Sequence, residues 1–338
     1  MCQSSSLILV ALRHFLLKHK MPLTKLTVVA PVFNEATVIR LFHERTSAVL
    51  DSMNEVHSSI LYVVDKCTDN TLEVLQEIAK NDPRILILAL SSRFGHQMSL
   101  LAGIEQSLDA DAIVMMDSDL QHPPELIPTL VLHYREGADV VYTLRVSTED
   151  VGMLRKVVGT TFYRILNMLS DVHINPNSSD FRLISNRVAK VLSERFSERN
   201  MFLRGVFSWI GFKQVGVEYR ASRRAAGASK YSISRMIQLA LSGILSFSTK
   251  PLQIGIFIGA SLAGVSFLLM IATVLNFFAD RSLPSGWTTV VTLLLLFNGV
   301  QLVVIGILGT YVGGIYEEVK CRPRYIIEEK ISYHDQKS

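Results

Sequence analysis

Residues 112–125 read Ala-Ile-Val-Met-Met-Asp-Ser-Asp-Leu-Gln-His-Pro-Pro-Glu, an apolar run that ends in two closely spaced carboxylates. The apolar part, Ala112 to Met116, predicts a short buried strand, so we expect Asp117 and Asp119 at its carboxyl end. Two such carboxylates can share a divalent cation such as Mg²⁺ or Mn²⁺, which takes oxygen ligands and usually binds substrate phosphates as well. The alternative is an ordinary surface turn, because Asp, Ser and Pro are common in turns.

Strand and helix patterns alternate on both sides of this stretch. The predicted strands are Leu26 to Val32, Ile60 to Val64, Ile85 to Leu90, Ala112 to Met116 and Val140 to Leu144. The predicted helices lie around Ala36–Met53, Thr71–Lys80, Gln97–Leu108 and Pro124–Arg135. This alternation predicts an α/β fold with a doubly wound, mostly parallel sheet.

Polar side chains follow four of these strands, at the edge where such sheets bind ligands. They are Asn34 and Glu35 after the first strand, Asp65 after the second, Arg93 after the third, and Asp117 and Asp119 after the fourth. The sequence therefore predicts one site at this edge. A dinucleotide-binding dehydrogenase would share the layout but needs Gly-x-Gly-x-x-Gly after the first strand. The turn here, residues 31–37, contains no glycine, so we discount that class.

The C-terminal third of the chain is apolar. Leu252 to Phe278 and Trp287 to Tyr316 contain no charged residue, and each is long enough to cross a bilayer, which takes about 20 apolar residues. The mean hydropathy of the 338 residues is +0.30, which is high for a soluble enzyme. We therefore predict two transmembrane helices; the alternative for each run is a buried core helix.

Basic residues flank both predicted spans. They are Lys230, Arg235, Lys250, Lys320, Arg322, Arg324 and Lys330. The positive-inside rule then predicts that the flanks and the large N-terminal domain are cytoplasmic. The net charge of +4 is modest, and its bias towards the membrane favours anionic lipid headgroups over nucleic acid as a partner. Three cysteines without disulfide or metal spacing fit a reducing compartment.

Three further segments are predicted from their patterns. Met1 to Lys20 has its basic residues after its apolar run, the wrong order for a secretory signal, and is interpreted as an extension. Gly152 to Ser170 is an amphipathic helix that packs on the sheet or lies in a membrane interface, and Ser232 to Ser248 is a juxtamembrane helix. The predicted domains are 1–21 (extension), 22–228 (catalytic domain), 229–250 (juxtamembrane helix), 251–317 (two spans) and 318–338 (cytoplasmic tail).

Four segments resemble motifs of the family-2 glycosyltransferases with a GT-A catalytic domain, of the kind that glycosylates polyprenyl phosphates. This group includes dolichyl-phosphate mannose synthases and bacterial undecaprenyl-phosphate glucosyltransferases. The segments are Pro31–Glu35 (nucleotide-binding motif), Asp117–Glu125 (extended metal motif), Ser179–Leu183 (between the catalytic and acceptor regions) and Arg224–Tyr231 (acceptor-side Arg-x-x-Gly-x-Ser-Lys-Tyr). The tail, Tyr316–Tyr325, also resembles the bacterial members with two spans.

One motif departs from this family. Its members usually carry Val-Asp-Asp-Gly-Ser-x-Asp after the second strand, whereas residues 63–69 read Val-Val-Asp-Lys-Cys-Thr-Asp. Val64 replaces the first Asp, and Lys66-Cys67 replaces Gly-Ser. The departure concerns recognition of the base or ribose rather than the fold.

The resemblance implies a nucleotide-sugar donor, with UDP-glucose favoured, and a lipid acceptor, undecaprenyl or dolichyl phosphate. Asp119, assisted by Asp117, would bind Mg²⁺ or Mn²⁺. The expected donor-binding residues are Pro31, Asn34, Glu35, Asp65 and Asp117, and the expected ligands of the acceptor phosphate are Arg204, Arg224 and Lys230. The alternatives are a helix N-terminal acid for Glu35 and solvated positive-inside residues for the basic three.

Asp180 resembles a general base by position. A lipid monophosphate is mostly dianionic at neutral pH and needs no base, so we expect Asp180 to orient Arg182 or the acceptor. Arg182 is a weaker candidate for the acceptor site, because it can simply pair with Asp180. His96 and His122 follow no ligand spacing and are expected to have structural or supporting roles.

These inferences predict an inverting, metal-dependent hexosyltransferase in the bacterial inner membrane that makes a polyprenyl-phosphate sugar for cell-surface glycan modification. A processive polysaccharide synthase is one alternative, but its Gln-x-x-Arg-Trp motif is absent. A membrane-tethered nucleotide-sugar binder that has lost catalysis is another. The patterns Gly255-x-x-x-Gly259 and Gly309-x-x-x-Gly313 would allow close helix packing or assembly into a homo-oligomer.

Overall fold

The computed structural model describes residues 25–146, 167–168, 175, 177–199, 201–220, 248–280 and 286–333. These fall into two compact units, the first with residues 25–146, 175, 177–199, 201–220 and 323–333 and the second with the remainder. The predicted extension 1–21, Arg224, Lys230, and nearly all of the predicted helices Gly152–Ser170 and Ser232–Ser248 lie outside the described residues.

The first unit is an α/β domain. Its described strands are β1 (Lys25–Val32), β2 (His57–Val64), β3 (Ile85–Leu90), β4 (Ala112–Met115), β5 (Val140–Val146), β6 (Ser178–Ser185), β7 (Gln214–Arg220) and β8 (Ile327–Ile331). Its described helices are α1 (Ile39–Asp51), α2 (Thr71–Ala79), α3 (His96–Glu105), α4 (Ile127–Arg135, after a 3₁₀ turn at Pro124–Leu126), α5 (Asn186–Arg195) and α6 (Leu203–Trp209). The predicted strands and helices of the N-terminal part are therefore present.

The described strands form one mixed sheet in the order β7-β5-β6-β4-β1-β2-β3-β8. Parallel pairing joins β1 to β2, β1 to β4 and β2 to β3, as predicted. It also joins β5 to β7. β6 is antiparallel to β4 and β5, and β8 is antiparallel to β3. Three of the described strand pairs are therefore antiparallel, so the sheet is less parallel than the sequence predicted.

The core explains why the central strands are continuous apolar runs rather than alternating ones. Seven of the eight residues of β1 are buried, because helices cover both faces of a parallel sheet. Gly103 lets α3 lie close to this strand: a Cβ there would be 2.2 Å from Cγ1 of Val29. The close approach fixes α3, whose first residue, His96, lies at the carboxyl edge of the sheet.

β8 was not predicted from the sequence. Ile331 is buried at the edge of the core, and the backbone N–H of Ser91 donates to the carbonyl of Ile326 at 3.0 Å. Just before β8, Arg324 and Tyr325 both bond the carboxylate of Glu105 at the end of α3. The C-terminal segment therefore belongs to the sheet of the first unit.

The second unit contains the two apolar runs, and both are helical: α7 (Lys250–Asp280) and α8 (Trp287–Val319). A Cβ on Gly255 of α7 would lie 3.4 Å from Cγ1 of Val304 of α8, so a small residue permits their close packing. Among the described residues, one stretch is long and apolar enough to cross a membrane, Leu296–Val319, with a hydropathy of 1.6. The predicted span Leu252–Phe278, in α7, remains a prediction.

Candidate functional site

A cavity of about 340 Å³ opens at the carboxyl ends of the parallel strands. Seven of the residues predicted to form the site line it: Pro31, Glu35, Asp65, Asp117, Asp119, Asp180 and Arg204. Arg93 and His96, from the loop after β3 and the start of α3, also line it. Asn34 is not among the lining residues. The structure thus brings four of the five predicted donor-binding residues into one cavity with Arg204, while Arg224 and Lys230 lie outside the described residues.

The turn after β4 is held in place by its own polar groups. The backbone N–H of Asp117 donates to Nδ1 of His122 at 3.1 Å, and the hydroxyl of Ser118 donates to the carbonyl of Pro31 at 3.1 Å. The ring of His122 is buried and stacks on Phe181 at 5.3 Å between centroids. Because Nδ1 accepts a hydrogen bond, the ring proton of a neutral His122 is on Nε2. His122 therefore has the structural role expected for it.

The two carboxylates of this turn differ in what they contact. Asp119 accepts from Gln121 twice, from the backbone N–H at 3.1 Å and from Nε2 at 2.6 Å. Oδ1 of Asp117 is buried, accepts no hydrogen bond and lies 3.4 Å from Nε2 of His96. Within the described residues, no group of three or more His, Cys, Asp or Glu side chains could by itself hold a metal ion. Asp117 and Asp119 can thus supply carboxylate oxygens to a cation at this edge of the cavity.

Asp65 organises the loop after β3. Its Oδ1 accepts from the N–H of Phe94 at 2.8 Å, and its Oδ2 accepts from the N–H of Gly95 at 2.9 Å. Gly95 has a φ of +90°, a backbone conformation that favours glycine. The predicted bond from Asp65 to a nucleobase stays a prediction, and any such bond would use the remaining lone pairs of these oxygens.

Asn34 links the loop after β1 to the loop after β2. Its amide donates to the hydroxyl of Thr68 and accepts from the N–H of Thr68, both at 2.9 Å, while its own N–H donates to the sulfur of Cys67 at 3.4 Å. Burial raises the pKa of Cys67, so the thiol is neutral. Cys67, which stands where the family usually has Ser, therefore serves as a weak hydrogen-bond acceptor for Asn34.

On the other side of the cavity, Asp180 of β6 forms a two-pronged ion pair with Arg204 of α6. The distances are 2.7 Å from Nε to Oδ1 and 2.8 Å from Nη2 to Oδ2. Burial alone would raise the pKa of Asp180, but Arg204 and His96 outweigh it and hold that pKa well below its usual range. Asp180 is therefore ionised at neutral pH and a poor acceptor of a proton.

Arg182 does not bond the carboxylate of Asp180, contrary to the expected pairing. It is buried, its Nη2 donates to the carbonyl of Ser179 at 2.9 Å, and its guanidinium lies over the ring of Phe207 at 4.3 Å. Burial lowers its pKa to about 10. Asp180 and Arg182 do share a face of β6, but the guanidinium of Arg204 approaches the same carboxylate from a helix, with better geometry.

His96 was expected only to have a structural or supporting role, and the structure places it in the lining of the cavity. Its Nε2 lies 3.4 Å from Oδ1 of Asp117 and 3.4 Å from Oδ2 of Asp180. Burial alone would lower its pKa, but the two carboxylates together raise it to about 9. The sequence signal that could have placed His96 in the site was its position just after the third predicted strand, close to Arg93. Arg93 was predicted to lie at this edge of the sheet, whereas no ligand spacing pointed to His96.

A second cavity, of about 560 Å³, lies beside α1 and α2. Four of its charged lining residues are paired: Arg84 with Asp51 at 2.6 Å and with Asp82 at 2.7 Å, and Arg40 with Glu77. It is lined by none of the predicted site residues. The cavity at the carboxyl edge is therefore the candidate active site.

The mixed sheet has parallel central strands and a carboxylate-lined cavity at their carboxyl edge, the arrangement expected of a GT-A glycosyltransferase. Comparison with known proteins identifies the family. The model described as Glycosyl transferase family 2 matches residues 27–192. The chain belongs to this family and is a glycosyltransferase.

Relatives match over nearly the whole chain. YkcC of Bacillus subtilis, named an uncharacterized glycosyltransferase, is 38% identical over 317 residues, 92% of this chain and 97% of the relative. The bactoprenol glucosyl transferase of Shigella phage SfX is 35% identical, over 90% of this chain and 99% of the relative. A prophage bactoprenol glucosyl transferase homolog of Escherichia coli K12 is also 35% identical, over 90% and 98% of the two chains.

Proposed function

We propose that this glycosyltransferase transfers a hexose, with glucose favoured, from a nucleotide sugar to a polyprenyl phosphate at a membrane. The observation that carries the proposal is the shared cavity, in which Asp117 and Asp119 lie on one side and the Asp180–Arg204 ion pair on the other. Relatives that are named bactoprenol glucosyl transferases favour a polyprenyl acceptor and glucose.

Asp117 and Asp119 fit the role of metal ligands. Oδ1 of Asp117 accepts no hydrogen bond, so it keeps lone pairs that a cation could share with the nearby ring of His96. Mg²⁺ and Mn²⁺ accept such oxygens, and Mg²⁺ usually completes its shell with substrate phosphates and water, which suits a site lacking a protein cage. When bound, the metal would offset the charge that develops on the departing nucleoside diphosphate.

The donor's base and ribose would lie near the loops after β1 and β2. Glu35 and Asp65 line this part of the cavity, and Pro31 accepts the hydrogen bond that fixes Ser118 beside the metal-binding carboxylates. Asn34 would act indirectly, through the link that it makes to Thr68. Val64 and Lys66, which replace the usual Asp and Gly, are expected to alter contacts with the base.

The acceptor phosphate would attack the anomeric carbon directly, with inversion. Its dianionic oxygen is already a nucleophile, so the chain needs to position it and neutralise its charge rather than remove a proton. Arg204 lines the cavity and would do this together with Arg224 and Lys230. Asp180, ionised and bonded to Arg204, would hold that guanidinium in place.

A lipid acceptor requires a membrane location. The exposed apolar stretch Leu296–Val319 of α8 is consistent with an integral membrane protein. We propose that α7 is the second span, that the basic flanks keep the catalytic domain cytoplasmic, and that the membrane is the bacterial inner membrane.

The test is a screen of donors with a fixed acceptor. Purified protein in detergent is incubated with Mg²⁺ or Mn²⁺, undecaprenyl phosphate and one of several radiolabelled nucleotide sugars. We expect label in the organic phase with UDP-glucose, and no label there when lipid or metal is omitted. Transfer with no donor of the panel, or the same organic-phase label without added lipid, would contradict the proposal.

A further inference from the structure

His96 lies between two carboxylates that come from different strands. Asp117 follows β4 and Asp180 belongs to β6, and the 3.4 Å separations put Nε2 of His96 within reach of both. Ionised carboxylates only accept hydrogen bonds, so two of them around one site repel each other unless a donor lies between them. The N–H of His96 is such a donor.

Bonds on both sides of His96 in the sequence hold the chain segment that carries it. On the donor side, Asp65 accepts the backbone N–H groups of Phe94 and Gly95, the two residues directly before His96. On the acceptor side, the side-chain oxygen of Gln97 accepts the N–H of Leu203 at 3.1 Å, at the first residue of α6. The start of α3 is therefore tied both to the loop after β2 and to the helix that carries Arg204.

We propose that His96 is a positioning residue that holds the donor-side Asp117 and the acceptor-side Asp180–Arg204 pair at a fixed separation. The proposal rests on the proposed function, which assigns those groups to the two substrates. In a direct displacement the reacting atoms must be held close and aligned, and a misplacement of about 1 Å costs roughly 100-fold in rate. His96 would thus act through its neighbours and need not touch either substrate.

Two substitutions separate the N–H from the bulk of the ring. His96→Leu removes the donor and keeps a side chain of similar size, whereas His96→Gln keeps an N–H of similar reach. We expect kcat to fall about 30-fold in His96→Leu, with the KM for the nucleotide sugar changed less than about threefold, and to recover at least partly in His96→Gln.

His133→Gln is the matched control, since His133 bonds Glu136 on the outside of α4 and its loss should leave kcat unchanged. A kcat for His96→Leu within about twofold of wild type would overturn the proposal, as would a His96→Gln no better than His96→Leu.

A double-mutant cycle with Asp180→Asn tests whether His96 acts through its neighbours. In the Asp180→Asn background, His96→Leu should cost less than about threefold, because the contact is already weakened. Independent losses that multiply in the double variant would overturn the proposal.

The cycle also separates this proposal from the proposed function. If the wild-type protein transfers no sugar to polyprenyl phosphate, the proposed function fails, and the same four proteins are compared by thermal unfolding. A Tm loss in the double variant close to that of the larger single variant would still support the His96 contact. A loss equal to the sum of the two would overturn it.

Discussion

Asp119 lines the cavity and accepts two bonds from Gln121 of its own turn, so we expect its removal to affect chemistry more than folding. Asp119→Ala would lose the bonds to Gln121 and one proposed metal ligand. We expect transfer to fall about 100-fold or more, because a metal-bound diphosphate contributes several kcal/mol of transition-state stabilisation. Rate assays across a Mg²⁺ and Mn²⁺ series measure the effect.

Asp109→Ala is the matched control, because Asp109 is exposed and lies 3.7 Å from Lys25, away from the cavity. Its activity and Tm should match those of wild type. Near-normal transfer by Asp119→Ala at ordinary metal concentrations would remove Asp119 from the metal site.

Asp180 provides a test of whether the reaction needs a general base. Asp180→Asn should retain measurable turnover, reduced about 10- to 100-fold through the loss of its ion pair with Arg204. Its rate should still rise with pH through the second ionisation of the acceptor phosphate, near pH ~6. Complete loss of turnover with both substrates still binding would show that this carboxylate removes a proton.

The site residues differ in how visible they are in the sequence. Asp65, Asp117 and Asp119 follow apolar strands directly, and the rule that parallel strands place their carboxyl ends at one edge was sufficient to bring them together. The bonding of Asp180 to Arg204 could not be predicted, because it depends on where α6 packs against β6. The contacts of His96 could not be predicted for the same reason: its two partners come from strands distant in the sequence.

At the scale of the elements, the C-terminal segment is the clearest addition to the sequence analysis. Glu105, at the end of α3, bonds both Arg324 and Tyr325 and is largely buried, with 14% of its side chain exposed. Losing two part-buried hydrogen bonds to a charged group costs on the order of 2 kcal/mol, so Glu105→Ala should lower the Tm of the catalytic domain by a few degrees. Glu329→Ala, on the exposed side of β8, is the control and should leave Tm nearly unchanged. Equal Tm values for the two variants would mean that the tail does not stabilise the sheet.

The contact between α1 and β2 predicts a pH dependence of stability. His43 bonds the hydroxyls of Tyr62 and Ser47, and burial lowers its pKa despite the nearby Asp82. The unfolded chain therefore binds this proton more readily, so the contribution of His43 is complete above pH ~6.5 and is lost as pH falls. Between about pH 7.5 and pH 5.5, the Tm of His43→Gln should fall less than that of wild type. A larger fall in Tm for His43→Gln than for wild type would contradict this prediction.

The elements themselves were predictable to different degrees. β1 to β5 and the helices between them follow from continuous apolar runs alternating with helical patterns, and the structure confirms them. β8 contains three charged residues in five and is paired only because the exposed edge of β3 accepts it. Such a strand depends on its partner rather than on its own composition, so its sequence alone does not reveal it.

At the scale of the whole molecule, the chain passes from the sheet to the long apolar helices and then returns to the sheet. Leu296–Val319 ends four residues before the segment that rejoins the first unit at Pro323. Apolar length and composition were sufficient to predict α7 and α8 as helices. The return could not be predicted, since it depends on the ion pairs around Glu105 and on an unpaired strand edge.

Mass spectrometry of the lipid product shows whether the protein adds a hexose to polyprenyl phosphate. Purified protein is incubated with UDP-glucose, undecaprenyl phosphate and Mg²⁺. The molecular mass of the extracted lipid is measured before and after the reaction. We expect a lipid phosphate that is heavier by a single hexose unit. Wild type and Asp109→Ala should form it, and Asp119→Ala should not. An unchanged lipid with free glucose in the aqueous phase, or a lipid carrying a ladder of several hexoses, would contradict this expectation.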